Sequence, residues 1–174
     1  SYASEVTDHT FTFRMITPSN VGSIAFEYCS NSPLFTEPCV APSGLDVDAF
    51  VLGDQTGITD FSKNAVETTT SRAVLSRTIN AQPSQDLEYE LENITNPDGS
   101  VATVFVRISM YASNDGTGSA FDTGAVAFVI EEPFDVDAYV PPYLTFCVGV
   151  SVAVDCSSAT GFLSEFGEFS AAST

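Results

Sequence analysis

Apolar and polar residues alternate along much of this chain, and the longest clean run is Tyr143 to Cys156, YLTFCVGVSVAVDC. Its even positions Leu144, Phe146, Val148, Val150, Val152 and Val154 are apolar, while its odd positions are small or polar. A period of two is the pattern of a strand with one buried face. His9 to Thr17 repeats it, with Phe11, Phe13 and Met15 set against Thr10, Thr12 and Arg14. So do Val21–Cys29, Leu45–Leu52, Arg72–Ile79 and Asp86–Ile94. Val101–Tyr111 is a longer run that buries Ala102, Val104, Val106, Ile108 and Met110, and Gly124–Ile130 and Phe134–Val140 are further strands. Turn residues lie between these runs, most clearly Asn96-Pro97-Asp98-Gly99 and the polar stretch 113–119. No helix is expected. Glu88, Glu90 and Glu92, for example, would not share one helical face. Roughly nine or ten short strands predict an all-β antiparallel β-sandwich, Ig-like or jelly-roll-like.

A length of 174 residues suits one domain with a real core. Residues 1–8 read as a loose polar leader and 9–174 as the sandwich. Leu45-Asp46-Val47-Asp48-Ala49-Phe50-Val51 is nearly repeated at Phe134–Val140, but no extended repeat flanks the echo. Four cysteines allow three disulfide connectivities. Cys29 and Cys39 bracket a loop that closes easily on itself. Cys147 and Cys156 in one straight strand would lie ~30 Å apart, against the roughly 7 Å a disulfide tolerates. Either the chain reverses between them, near Gly149–Ser151 or Ala153–Asp155, or each pairs elsewhere; local pairing is the expectation.

Charge narrows the class of partner. The chain carries 23 acidic and 5 basic residues, a net −18. Nucleic acid and anionic membrane surfaces need clustered cations, so both are excluded as expected partners. No run of 18 apolar residues is present to span a bilayer. An even cysteine count outside any zinc spacing points to an oxidising compartment. A chain that starts at Ser1, without Met or a signal peptide, reads as a processed secreted protein.

Candidate chemistry is sparse. The pairs Asp46/Asp48 and Asp135/Asp137 place carboxylates two residues apart, on one side of a strand, and hard oxygen ligands so arranged suit Ca²⁺. The competing reading is a solvated strand face. The row Glu88, Glu90 and Glu92 reads as an edge strand whose charges discourage pairing. Asn93-Ile94-Thr95 is a glycosylation sequon. His9 is the single histidine, no Gly-x-Ser-x-Gly elbow occurs, and no carboxylate pair stands out. An enzyme is not expected.

The terminal strands suggest another role. Phe11, Phe13 and Met15 follow a polar leader, and Phe162, Phe166 and Phe169 lie near the C-terminus. Such a strand can complete a neighbour's sheet, and a head-to-tail contact that does not close builds a fibre.

The run PPYLTFCVGV followed by DCSSATGFLSEFGEFS, with FEYCSNSPL and APSGLDV upstream, resembles a group of uncharacterised secreted surface proteins of ultrasmall candidate-phylum bacteria. That resemblance covers most of the chain and implies an all-β fold and a cell-surface location, with no catalytic residues to carry over. In architecture the chain is similar to donor-strand pilins and biofilm-fibre subunits. The expectation is therefore an extracellular, self-associating filament subunit built by strand exchange. The alternative is a monomeric secreted adhesion or binding module, with or without calcium as its cofactor.

Overall fold

The computed structural model describes residues 1–131, 149, 151–153 and 157–160. It is all-β, with no helix among the described residues. The strands are β1 (Val6–Met15), β2 (Ser19–Cys29), β3 (Val51–Thr56), β4 (Ser62–Lys63), β5 (Arg72–Gln82), β6 (Gln85–Thr95), β7 (Thr103–Tyr111) and β8 (Asp122–Val129), then β9 (Ser151–Val152) and β10 (Ala159–Thr160). The chain divides into two compact units, Ser1–Phe134 and Asp135–Thr174. In the second unit, β9 and β10 pair antiparallel and Ala153 N–H donates to the Ser158 carbonyl. Asp135, Asp137, Cys147, Cys156, Phe162, Phe166 and Phe169 lie outside the described residues.

The first unit is a β-sandwich of two antiparallel sheets, one ordered β1-β6-β3 and the other β4-β5-β2-β7-β8. Alternation decides what faces inward. Leu87, Tyr89 and Leu91 of β6 and Phe11 and Met15 of β1 are buried against Ile24, Phe26 and Tyr28 of β2 and Val104, Val106 and Ile108 of β7. Phe11 and Phe13 both stack on Phe26, with ring centroids 4.8 and 6.4 Å away.

Several expectations need correction. β1 begins at Val6 rather than His9, and the leader is tied down: Ala3 N–H donates to Glu131 and Ser4 N–H to Pro97. Leu45–Phe50 is no strand. Asp46 accepts the Asp48 N–H at 2.8 Å, a local turn, and Leu45, Val47 and Phe50 are buried by the fold-back. Ala102 is exposed before β7 starts. The glutamate row sits on β6, the central strand of its sheet and not an edge; its side chains occupy the outer face, where Thr12 Oγ1 donates to Glu88 at 2.9 Å.

The larger sheet is also covered on its outer face, by loops. Cys29 and Cys39 are bonded, closing the first of these. Beneath it Arg107 is only 3% exposed. Its guanidinium donates to the Ser32 carbonyl from Nε at 3.2 Å and Nη2 at 3.0 Å, and to the Glu37 carbonyl from Nη1 at 2.9 Å. Glu27 lies 3.7 Å away, and Phe35 packs on the cation. The second loop, after β7, is pinned by Arg72 donating to Gly116 at 2.6 Å and by Ser23 Oγ donating to Ser113 at 2.7 Å. At Gly22 a Cβ would meet the Ser113 carbonyl at 2.5 Å, so this close approach of loop to sheet requires glycine.

Replacing Arg107 with Leu removes the donors from buried carbonyls and frees the disulfide loop. The expected cost is about 3 kcal/mol, measured by denaturant unfolding, together with faster proteolysis within residues 30–38. An unchanged midpoint would contradict the clamp.

Candidate functional site

Two of the strands that line the sandwich are sheet edges, each with one partner strand among the described residues. β1 ends the smaller sheet on one side, and β8 ends the larger. Every residue of β8 is exposed or half-buried, and Val126 and Val129 are 42% and 56% exposed. Pairing with β7 puts Gly124, Val126 and Phe128 opposite Ile108, Val106 and Val104, hence on the core-facing side. They face inward, where His9 of β1 packs on Phe128 but Val126 stays 42% exposed.

The result is a groove along the open side of the sandwich. Its larger part, a cavity of about 470 Å³, is lined by His9, Phe11, Ile108, Val126, Ala127 and Phe128 among others. A second part of about 150 Å³ continues past Phe13, Arg14, Met110, Asp122 and Gly124. Asp122 holds that end of the groove: its carboxylate accepts the Ile16 N–H at 2.7 Å, the Thr17 N–H at 2.9 Å and the Thr17 hydroxyl at 2.7 Å.

The backbone of β8 is as open as its side chains. Ile130 N–H donates to Ala102 in continuation of the β7 register. Hydrogen-bonded positions alternate along an antiparallel pair, so the even residues of β8 bond to β7. The N–H and C=O groups of Thr123, Ala125, Ala127 and Val129 point away from it, with no partner strand among the described residues.

His9 closes the other end. Asn96 donates from Nδ2 to the Tyr2 carbonyl, so its Oδ1 accepts from His9 Nε2–H at 3.1 Å. That fixes the neutral tautomer, leaving Nδ1 to accept the Tyr28 hydroxyl at 3.0 Å. Phe128 packs edge-on to the imidazole at 5.1 Å. Burial holds the His9 pKa below 6.5, outweighing the Asn96 hydrogen bond and nearby Asp8, and burial raises the Tyr28 hydroxyl well above its ordinary value. Both ring nitrogens are thereby engaged, and the network fixes the imidazole in the groove wall.

The other candidates are dispersed. Asp46 caps its turn and Asp48 is exposed, with its carbonyl taking Lys63 Nζ. Among the described residues no third carboxylate joins them, and the one group of three potential ligand residues is Glu27, Cys29 and Cys39, whose sulfurs form the disulfide. Asn93 is exposed at a positive φ of 63°, and its Nδ2 donates to Ala49 at 3.1 Å. Phe11, Phe13 and Met15 belong to a strand paired with β6 from Val6 to Met15, so in this chain they furnish a groove wall and core rather than a detached strand. Sequence reasoning missed Val126 and Phe128 as groove residues. Their alternation marks a strand but does not say whether anything covers it.

No protein-family model and no curated protein matches this chain. Among solved structures, the human F-spondin reeler domain (fragment 1) is similar over 75% of this chain and 74% of its own, at 10% identity and a TM-score of 0.32. A likeness at that score carries no argument about fold or function. Among the described residues no helix is long and apolar enough to cross a membrane.

The tautomer makes stability depend on pH with a definite sign. An unfolded His titrates near 6.5 and the buried one lower, so the folded state binds fewer protons. The stabilisation is present above pH ~6.5 and is lost as pH falls through the folded pKa. Thermal unfolding of the wild type should therefore lose more between pH 7.5 and 5 than His9→Gln does. Parallel pH profiles would contradict the assignment.

Proposed function

We propose that this chain is a structural subunit of an extracellular filament, pilus-like or a biofilm fibre, assembled when a strand of a second copy adds to β8 and fills the groove. The observation that carries this reading is β8 itself. Natural proteins blunt a sheet edge with lysine, proline, a bulge or a cover. Asp122–Val129 has no lysine, no proline and no register shift against β7, and none of its residues is fully buried. An added strand would gain backbone hydrogen bonds from the outward groups of β8 and bury alternate side chains in the groove.

A donor segment and an acceptor groove at different places on one chain make a heterologous contact, which propagates unless rotation closes it. The Cys29–Cys39 bond favours an oxidising compartment and supports a location outside the cytoplasm. The acid excess keeps unassembled subunits apart, so association falls to the Thr123–Val129 edge, which carries no charged side chain.

Negative-stain microscopy of the native material should reveal filaments, and an unboiled SDS gel a ladder that collapses on boiling. Ala127→Pro removes an outward N–H without touching a β7 hydrogen bond, as an edge strand tolerates. This variant should fold with little loss of melting temperature and should not assemble. Compact wild-type particles near 18.4 kDa would refute the proposal.

A further inference from the structure

The groove constrains what can enter it. A strand laid beside β8 must offer an apolar residue at every second position over about eight residues, ~26 Å at the usual rise. Its other face should carry no charge, because it approaches a chain of net −18. Three alternating stretches can be compared. The first, Phe11 to Met15, is already paired with β6 and has Phe11 and Met15 in the core. The second, Phe134 to Val140, brings Asp135 and Asp137 on its opposite face. The third, Tyr143 to Val150, sets Leu144, Phe146, Val148 and Val150 against Thr145, Cys147 and Gly149 and carries no charge at all.

We infer that the occupant of the β1–β8 groove is the Tyr143–Val150 stretch of a second copy of this chain, an inference that rests on the self-assembly proposed above. Period and the absence of charge select it. Ser151–Val152 beyond it pair with Ala159–Thr160, which leaves eight residues, as many as β8 has. Taken up as a strand, they would set four apolar side chains on one face, towards Phe11, Phe13, Val126 and Phe128. Within the groove the charged side chains are those of Asp8, Arg14 and Asp122, and Asp122 is engaged by the Ile16–Thr17 turn. An uncharged strand therefore enters without stranding a charge of its own. The stretch lies outside Ser1–Phe134, the unit that carries the groove, so donor and acceptor belong to different units of the chain.

Full-length variants test this. Phe146→Asp/Val148→Asp would disable the donor, and Val126→Asp would disable the acceptor at an exposed position. Each alone should run as a monomer in size-exclusion chromatography, while an equimolar mixture should give a species of twice the monomer mass and nothing larger. If the donor variant assembles like the wild type, or the mixture stays monomeric while the wild type assembles, the donor assignment falls and self-assembly stands. A wild type that never assembles overturns both. Should the donor variant fail to fold, a peptide of residues 143–150 with Cys147→Ser is added to wild-type monomer: loss of assembly supports the assignment, and undiminished assembly refutes it.

Discussion

A three-stranded sheet cannot cover a five-stranded one, and that inequality governs this fold. The aromatic contacts place β1 over β2, through Phe11 and Phe13 on Phe26, and the smaller sheet ends there. β8 is left beyond it, paired among the described residues with β7 alone. The inward residues Val126 and Phe128 have the chemistry of core but only part of its cover. Burial of such side chains contributes roughly 1.5–3 kcal/mol each, so the open edge holds back stabilisation that an added strand would supply.

The opposite face of the same sheet is closed differently. Cations are scarce, and most are used on backbone carbonyls rather than carboxylates. Arg107 grips the Ser32 and Glu37 carbonyls, Arg72 the Glu67 and Gly116 carbonyls, and Lys63 the Asp48 carbonyl. Only Arg14 and Arg107 also meet a carboxylate among the described residues. Loops pinned in this way shield the outer face of β2, β5 and β7, which is why both faces of β2 are buried. The surface acids go largely unneutralised, so the molecule repels its own kind except where it is apolar.

Much of this was legible in the alternation of side chains, because period two reports which face of a strand is apolar. The β1, β2, β6 and β7 strands follow from it. It fails where apolar spacing is satisfied by a turn, as at Asp46–Asp48, since a buried Leu45 and Val47 look the same from either backbone. Nor does it report cover. Arg107 falls on the polar phase of β7, yet a disulfide loop buries it; Val126 falls on the apolar phase of β8 and stays exposed. The glutamate row looks like an edge because edges are often charged, whereas here the outer face of a central strand has the same freedom. Phe11, Phe13 and Met15 looked like a strand to be lent, whereas Phe11 and Phe13 wall the groove and Met15 is core.

Amide hydrogen exchange across β8 tests the account most directly, because it reads the free edge itself. In dissociated monomer, the amides of Thr123, Ala125, Ala127 and Val129 should exchange fast while those of Gly124, Val126 and Phe128, bonded to β7, exchange slowly. In the assembled state the first set should become protected as well. Equal, fast exchange of that set in both states, or protection already complete in the monomer, would contradict an open edge that takes a strand from a second copy.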